Sequence, residues 1–554
     1  MRTARDCFSQ QRELFRRRLS PPAAHAARAI MTPVQLYDSY NNAFGAMAPG
    51  SDSPGSVVRF LGIFAGDHEQ CEAACLRAAP RCWSYVHFKD EAKNGTAGSC
   101  YSVTSPGWNP SYDATARTGV VDWPCRDNED CSLNGECTSG RCDCRAAWIG
   151  HRCETLVTLP AKRNGGYHGK DSGRNSSSWG AAVLRGSDGL FHMWVSEMTE
   201  HCGIGAWHHN SRIVHATSET PDGAFERQSV TWPVFAHEPS VVPGPNGEFV
   251  MFFTADFDRA NGGARGGCRC CQGARSPCDG STGPNDCSAA PSTVRHFSYM
   301  SWTMDPNGGW SKPVKLFNVK HQSFRGGDTN FSPLILSNGS LIGLWRKWTK
   351  TGSRSGSRVF VATARDWRNA SCYVQHKTKP IRRHQTSAEL FPDLGASGAE
   401  DQFLYLDDQG NYHAYFHNMV GSGSAKRWWL DATGGHAFSR NGWDWTYGGV
   451  AWGDPLQRFD TPEGRGSLVP FVDGPSVRFT RVERPHLVFA GGRLRGDPTH
   501  LVASAQYGAG VSASTDSRND DGTCTIILPV RRGGSAKLPT ATGGGRRRER
   551  RAQP

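Results

Sequence analysis

The sequence predicts a mainly β protein: a five-bladed β-propeller preceded by a small α+β module and a second, disulfide-rich module. Three observations predict this fold. Cysteines cluster in two short stretches near the N-terminus, pairs of short β-rich runs repeat over residues 155–530, and no run of about 18 apolar residues indicates a membrane span. With 64 glycines and 10% aromatic residues in 554, the composition is that of a turn-rich globular chain with several domains.

The net charge of +12 is concentrated in two tails. Residues 1–30 carry +5 and residues 531–554 carry +7, so the chain between them is formally neutral. Both tails are rich in arginine, and we expect segments 1–34 and 531–554 to be disordered. The tails could touch acidic surfaces, but a folded basic face for nucleic acid is not predicted.

The 19 cysteines indicate disulfides in an oxidising compartment, or metal binding in a reducing one. Five N-glycosylation sequons fit a secreted glycoprotein, at Asn94, Asn175, Asn330, Asn338 and Asn369. Residues 1–31 lack the apolar core of a signal peptide. We give the cysteines more weight and expect an extracellular or secretory-pathway protein.

Residues 123–154 contain six cysteines, and so short a segment needs covalent links to stay folded. Their spacing alone allows 15 pairings. The run from Cys142 to Cys153, C-x-C-x5-G-x2-C, resembles the end of an EGF-like module. This resemblance implies the pairs Cys125–Cys137, Cys131–Cys142 and Cys144–Cys153. The preceding VDWP lacks the acids of a calcium site, and such modules mostly act as spacers.

A second cysteine pattern covers residues 35–122. Cys71 and Cys75 would share one face of a helix that has Asp67 as its N-cap and ends before Pro80. The pattern resembles a PAN/apple module, which implies the pairs Cys71–Cys100 and Cys75–Cys82. Such modules commonly bind proteins or carbohydrates, and a disulfide-linked spacer is the alternative.

Residues 155–530 repeat a hairpin pattern. Five longer units each have a β-rich run, a turn with glycine and a second β-rich run. They begin at Trp179, Glu238, Ser332, Asp401 and Arg484. Shorter hairpins with an aromatic residue after the turn lie between them and begin at Ile213, Phe297, Val359 and His436.

Two alternating hairpin types predict five four-stranded sheets. Radial packing would cover the apolar faces that each sheet leaves exposed, as in a five-bladed β-propeller. A segment within residues 155–178 or 506–530 would close the ring of sheets. A β-sandwich built from the same strands is the alternative.

The first strand of each longer hairpin would line the central shaft, so the residues that begin these strands would meet at one rim of a funnel. The residues directly before them would join them: Ser178, His237, Phe331, Glu400 and Glu483. We therefore expect the adjacent acids Glu400 and Asp401 to face a pocket together with Glu238 and Arg484.

This blade pattern resembles the propeller glycosidases of glycoside-hydrolase family 43. Those enzymes have an Asp before Pro in the first blade as general base, an Asp in the third blade, and a Glu two residues before Pro in the fourth as general acid. The resemblance implies that Glu400, two residues before Gln402, is the general acid and that Asp328 lies near the third-blade position. The first-blade position reads Trp179-Gly180, so the expected base is absent.

Hydrolysis needs one protonated and one ionised carboxyl, and crowded carboxylates separate their pKa values in this way. The catalytic candidates are Glu400, Asp401, Glu238 and Asp328. The substrate-binding candidates are His237, Trp179, Glu483, Arg484, His201 and Asn210. Arg484 and His237 could bind hydroxyls, a uronate or a sulfate, and Trp179 could stack on a sugar. The alternative is a buried salt bridge between Arg484 and an acid.

The loop at residues 266–287 contains five cysteines, which could bind zinc or form disulfides on a surface insertion. Together with Cys202, Cys372 and Cys524 they make an even number, which favours disulfides. His208 and His209 would point apart on a strand. We therefore predict no metal and no cofactor.

The sequence thus predicts a secreted glycosidase-like protein that acts on a cell-wall or matrix polysaccharide by carboxylate acid/base hydrolysis. The alternative is a non-catalytic carbohydrate-binding or adhesion protein, which the missing first-blade Asp favours. A glycan is the expected partner, and a protein partner could bind through either N-terminal module.

Overall fold

The structure is a computed structural model of the chain and is mainly β, with almost no helix. It describes residues 58–63, 70–71, 84–88, 99–103, 116–120, 124–168, 170–171, 174–175, 177–199, 204, 207–257, 296–317, 328–351, 354–376, 399–418, 434–452, 467–479, 481–506 and 523–533. The predicted disordered tails, apart from residues 531–533, lie outside these ranges, as do His201 and the cysteine loop 266–287. None of the helices in these ranges is long and apolar enough to cross a membrane.

The N-terminal part is an antiparallel four-stranded sheet in the order β1-β3-β2-β4. Its strands are β1 (Val58–Ile63), β2 (Ser84–Phe88), β3 (Ser99–Val103) and β4 (Ala116–Val120). Of the predicted helix, Gln70 and Cys71 are described and helical, and Cys71 is buried and disulfide-bonded. Cys75 and Cys82 lie outside the described residues, so the PAN/apple resemblance stays a prediction.

The next module has two small hairpins linked by disulfides. Its strands are β5 (Gly135–Thr138), β6 (Arg141–Cys144), β7 (Trp148–Ile149) and β8 (Thr155–Leu156). The disulfides join Cys125 to Cys137, Cys131 to Cys142 and Cys144 to Cys153, the same pairs that the EGF-like resemblance implies.

This module packs against the large β region instead of standing off it as a spacer. Trp148 is buried, with its ring centroid 5.9 Å from that of Tyr415 and 5.3 Å from that of His436. Arg145 donates a 2.9 Å hydrogen bond to the buried carboxylate of Asp407. Burial would raise the pKa of Asp407, but hydrogen bonds from His413, Asn411 and Arg145 outweigh it and lower that pKa.

Four antiparallel units follow, each with its strands in chain order. The first is β12 (Ser178–Arg185), β13 (Phe191–Met198), β14 (Ser211–Ser218) and β15 (Ala224–Trp232), with helix α1 (Trp207–Asn210) before β14. It is preceded by β9 (Gly166–Tyr167), β10 (Lys170–Asp171) and β11 (Arg174–Asn175). The second is β16 (Ala236–Pro243), β17 (Phe249–Ala255), β18 (Phe297–Thr303) and β19 (Val314–Lys315).

The third unit is β20 (Asp328–Ile335), β21 (Leu341–Thr351), β22 (Arg354–Ala364) and β23 (Tyr373–Gln375), with a 3₁₀ turn at Ala370–Cys372. The fourth is β24 (Ala399–Leu406), β25 (Tyr412–Asn418), β26 (Gly434–Ser439) and β27 (Thr446–Trp452). A separate hairpin, β28 (Ser467–Phe471) and β29 (Gly474–Phe479), leads to β30 (Arg481–Phe489), β31 (Pro498–Gln506) and β32 (Thr523–Pro529).

Strand β9, from the start of the region, closes the structure. It pairs with β32 and so is the fourth strand of the last unit. It also pairs with β15 of the first unit, and the two units together form one eight-stranded sheet. The first strands β12, β16, β20, β24 and β30 contact one another in turn, and β30 returns to β12. A closed cycle of this kind does not fit two packed sheets, so the β-sandwich alternative is wrong. The closing strand lies in 155–178, one of the two segments proposed from the sequence.

Cys372 does not fit the prediction that the even number of cysteines in residues 155–530 indicates disulfides. It is a free thiol, whereas Cys524 is disulfide-bonded.

The predicted glycosylation sites differ in their exposure: the side chain of Asn330 is buried, while Asn338 and Asn369 lie exposed in turns. Burial rules out Asn330 as a glycan acceptor in the folded chain.

A buried carboxylate stabilises the closure. Glu197 on β13 is fully buried and accepts a 2.5 Å hydrogen bond from the hydroxyl of Tyr167 on β9. Arg212 also contacts this carboxylate, and Arg227 lies 2.9 Å from it. Because all of its partners are charged or polar, its burial is compensated.

Glu197→Gln should therefore lower the free energy of unfolding by about 3–5 kcal/mol, because it removes the buried negative charge that Arg212 and Arg227 contact. The measurement is the thermal midpoint, followed by circular dichroism. Glu129→Gln is the control, since Glu129 and Arg440 form an exposed ion pair whose loss costs at most about 1 kcal/mol. Equal losses in the two variants would contradict this role for Glu197.

Stability should also depend on buried histidines. His215 accepts or donates a 2.9 Å hydrogen bond with His192, and burial lowers the pKa of His215 to about 4. The unfolded chain protonates this group at a pKa near 6.5, so its contribution is present above pH 6.5 and is lost as the pH falls toward 4. Wild type should lose about 1.4 kcal/mol per pH unit more than His215→Gln in this window. Parallel pH profiles of the two thermal midpoints would be incompatible with this account.

Candidate active site

The five first strands share one irregularity. Each has a register shift against its neighbour, at Trp179/Ala181, His237/Ser240, Thr329/Ser332, Glu400/Phe403 and Glu483/His486. Within each shift one residue has positive φ: Gly180 (72°), Glu238 (61°), Asn330 (67°), Asp401 (58°) and Arg484 (55°). Four of these are not glycine, and such backbone is uncommon outside functional or over-determined sites.

The bulges bring these five positions together. A bulge interrupts the alternation of a strand and re-aims the side chain at that point. All five bulge residues line one small, open cleft of about 50 Å³. We call Gly180, Glu238, Asn330, Asp401 and Arg484 the bulge ring.

The ring agrees with the sequence prediction at three of five positions. Glu238, Asp401 and Arg484 lie where the hairpin repeat predicts them. The first position is Gly180 instead of Trp179, and the third is Asn330 instead of Ser332. The predicted register was therefore one residue early in the first unit and two residues late in the third.

Arg484 joins two acids from different sheets. Its Nη2 atom contacts Oε1 of Glu238 and lies 2.9 Å from Oδ1 of Asp401. The backbone N–H of Asn330 donates to Glu238 at 3.0 Å, and its side-chain amide donates to Asp401. The salt bridge that the sequence left open as an alternative is therefore present.

Gly180 makes room for this guanidinium. A Cβ atom at position 180 would lie 2.6 Å from Cδ of Arg484, closer than real Cβ contacts allow. With its φ of 72° as well, the position favours glycine on two grounds. The lack of an acid at position 180 is thus linked to the presence of Arg484, because the guanidinium side chain occupies the space that a side chain at position 180 would need.

Burial raises the pKa of two acids near the cleft. It raises the pKa of Glu238, and nearby Asp401 raises it further while Arg484 opposes the change. Burial also raises the pKa of Glu483. Arg481, whose Nε lies 2.6 Å from that carboxylate, opposes this increase. The lower dielectric of the site favours the neutral acid in both.

Glu400 lies at the edge of this group. Its carboxylate contacts Nη1 of Arg346, and the two side chains are 20% and 16% exposed. This ion pair would have to open before Glu400 could deliver a proton. Asp328 lies on β20 two residues before Asn330, in a described strand but without a described side chain.

The remaining predicted residues divide into two groups. His237 is adjacent to the ring: its Nε2 lies 3.5 Å from Glu238 and its Nδ1 lies 2.6 Å from the hydroxyl of Ser211. Trp179 and Asn210 are 3% and 0% exposed, so neither offers a surface to substrate. The stacking role predicted for Trp179 is wrong because its ring faces inward, under Arg481 at 5.3 Å.

Sequence reasoning missed a set of buried polar atoms without hydrogen-bond partners. They are Oδ1 of Asn330, both side-chain atoms Oε1 and Nε2 of Gln402, and Nε of Arg484. All three residues line the cleft, and Asn330 and Gln402 are each 6% exposed. Buried polar groups are rarely left unpaired, so two donors and two acceptors here await water or a ligand.

A metal ion could be held at one side of the cleft. Ligand atoms of Asp401, His417 and Glu483 lie within 4.8 Å of one another and are buried. Arg484 and Arg481 already pair with the two carboxylates, so an ion would compete with both guanidinium groups.

Several structural neighbours of the chain are glycoside hydrolases, at low similarity. The catalytic domain of the GH62 α-L-arabinofuranosidase of Coprinopsis cinerea is 12% identical over 68% of this chain and 95% of its own, with a TM-score of 0.38. The Podospora anserina α-L-arabinofuranosidase in complex with cellotriose is 11% identical over 70% and 97%, with a TM-score of 0.39.

A third neighbour, the Penicillium chrysogenum α-L-arabinanase with arabinobiose, is 11% identical over 66% of this chain and 79% of its own, with a TM-score of 0.34. No protein-family profile and no curated protein matches the chain. At these TM-scores we transfer no residue role from the neighbours.

Arg484→Gln should lower the free energy of unfolding by about 3–5 kcal/mol, because it leaves buried carboxyls without their cation. Adding Asp401→Asn should recover much of the loss, since contacting residues couple. Thermal unfolding of both single variants and the double variant gives the coupling energy. Strictly additive effects would show that the Arg484–Asp401 contact carries no stability.

Proposed function

We infer that the five closed units are the blades of a five-bladed β-propeller and that the bulge ring lies at the mouth of its shaft. The cycle of first strands and the closing strand β9 support this architecture. The bulges recur at the same point of each unit, as five-fold radial repetition requires.

We propose that the protein is a glycosidase-like enzyme that binds a polysaccharide in this cleft and hydrolyses it. The observation that carries the proposal is the cleft wall itself: unpaired donors and acceptors lie beside the two acids Glu238 and Asp401. Sugar hydroxyls both donate and accept hydrogen bonds, so a diol could satisfy Asn330 and Gln402 together.

The two acids take different roles. Both acids contact Arg484, and burial raises the pKa of Glu238, which makes Glu238 the candidate proton donor. Both contact the same Nη2 atom, so their nearest oxygens are no further apart than two hydrogen bonds, about 6 Å. This upper limit lies below the 6.5–9.5 Å of inverting enzymes and is compatible with the roughly 5–5.5 Å of retaining ones.

The reaction would proceed in two steps. Glu238 donates its proton to the glycosidic oxygen as Asp401 attacks the anomeric carbon, which releases the first product and leaves a glycosyl ester. Water then attacks the same carbon, Glu238 takes its proton, and Asp401 leaves as a carboxylate. Arg484 must move from between the acids when the sugar enters.

Binding without hydrolysis is the second candidate. Gly180 and Asn330 stand on the ring in the first and third units, where the family 43 resemblance leads one to expect acids. Arg484 occupies the space between Glu238 and Asp401. A site of this composition could hold a glycan and leave it intact.

Three disulfides in one small module support an oxidising, extracellular location, which we propose together with the polysaccharide partner. A protein partner for the N-terminal modules also remains a proposal.

Glu238→Gln should reduce hydrolysis of a natural glycan by on the order of 10²–10⁴-fold and leave binding nearly intact, because the amide cannot donate the proton. Aryl glycosides with good leaving groups should lose less. Glu400→Gln tests the role that the family resemblance implies, and Glu226→Gln, on an exposed strand, is the control.

If Glu238→Gln keeps full turnover and Glu400→Gln loses it, the general acid is Glu400 and not Glu238. Glycan binding by wild type without any hydrolysis would select the second candidate. If no glycan binds and none is cleaved, the proposed function is wrong.

A further inference from the structure

Two of the predicted glycosylation sequons lie side by side on the third unit. Asn338 lies in the turn between β20 and β21, and Asn369 lies in the turn that follows β22. The backbone N–H of Trp367 donates a 3.1 Å hydrogen bond to the carbonyl of Gly339, which joins the two turns. Both asparagines are exposed, so a bulky carbohydrate chain has room at either one.

The two turns hold their asparagines in the same way. Oδ1 of Asn338 accepts hydrogen bonds from the backbone N–H of Ser340 at 3.0 Å and from its hydroxyl at 2.7 Å. Asn369 and Ser371 repeat both distances. Within the described part of the chain, no protein group accepts a hydrogen bond from Nδ2 of either asparagine. The nitrogen that N-glycosylation modifies is therefore without a protein partner in both turns.

Asn330 has the same sequence pattern in the opposite environment. It is 6% exposed, its backbone N–H donates to Glu238 at 3.0 Å, and its Nδ2 contacts Asp401. A glycan on that nitrogen would replace the contact with Asp401 and fill the cleft. The pattern alone does not distinguish these sequons, and the folded chain does. Asn94 lies outside the described residues, and no side chain is described for Asn175.

Both exposed turns lie at the end of the third unit away from the bulge ring. Strand β20 begins at Asp328, has its bulge at Asn330 and ends at Ile335, so the turn that follows is at its far end. Ala364, the last residue of β22, pairs with Leu341, the first residue of β21. This pairing places the second turn at the same end as the first.

The disulfide-linked module of residues 123–154 occupies the same end of the neighbouring fourth unit. Arg145 pairs with Asp407, which follows β24 at the end away from its bulge, and Glu129 pairs with Arg440, which follows β26. Strands β20 and β24 contact each other, so the module and the two turns lie on adjacent units. The side of the bulge ring is left open to a ligand.

We propose that Asn338 and Asn369 carry N-linked glycans and that Asn330 carries none, so that carbohydrate covers the end of the third unit away from the cleft. In this modification Nδ2 of the asparagine attacks the anomeric carbon of an oligosaccharide linked to a lipid pyrophosphate. The lipid pyrophosphate leaves, and the nitrogen gives one proton to solvent. The inference goes beyond the proposed activity and does not depend on what the cleft binds, but it rests on the proposed extracellular location.

The test is secretion of the full-length chain from mammalian cells behind an added signal peptide, followed by peptide mapping by mass spectrometry. Peptide-N-glycosidase in heavy-oxygen water converts each glycosylated asparagine to a labelled aspartate. We expect the label at Asn338 and at Asn369, with Asn330 unmodified. Because the added signal peptide fixes the compartment, a secreted protein without these glycans counts against the two sites and not against the proposed location.

Each site has a matched pair of variants in an exposed turn. Ser340→Ala removes the sequon hydroxyl and should abolish the label at Asn338, whereas Ser340→Thr keeps a hydroxyl and should retain the label. Ser371→Ala and Ser371→Thr should act in the same way on Asn369. Each alanine variant should lose the mass of one glycan, and the double alanine variant should lose the mass of both.

The inference is wrong if the secreted protein lacks the label at either turn, or if the folded protein carries the label at Asn330. Retention of the label at Asn338 in Ser340→Ala would also contradict it, because the modification would then not depend on the sequon.

Discussion

One guanidinium group organises the centre of this protein. Arg484 reaches from the last unit to Glu238 of the second and Asp401 of the fourth, so its position is shared by three sheets. Two acids this close and this deeply buried would repel each other without a cation between them. The same contact requires glycine at position 180, because any side chain there would meet Arg484. The composition of the bulge ring thus follows from one ion-pair arrangement.

The bulges explain how a repeated scaffold carries an unrepeated site. Every first strand has the same register shift, yet the five residues at the shift are a glycine, two acids, an amide and an arginine. The strands supply the position, and the residue at each bulge supplies the chemistry. Outside the ring the units vary in another way: two of them bury hydrogen-bonded histidine pairs, His192–His215 and His413–His436, at equivalent places.

Much of this arrangement could be predicted from the sequence, because hairpins and cysteine spacing are local signals. The alternating hairpins led to the convergence of Glu238, Asp401 and Arg484. They did not lead to Asn330, since the aligned hairpin of the third unit begins at Ser332, two residues after the bulge. Trp179 was misplaced because it lies just before the bulge, where its side chain turns into the core.

The central claim is that the unpaired polar atoms of Asn330 and of Gln402, which also lines the cleft, are sugar contacts. The most direct measurement is a crystal structure of the Glu238→Gln protein with a bound oligosaccharide that the wild type recognises. The account predicts a sugar ring in the cleft with hydroxyl oxygens within about 3.2 Å of the side-chain amides of Asn330 and Gln402. The claim is contradicted if those amides bind only water and the oligosaccharide lies elsewhere on the surface.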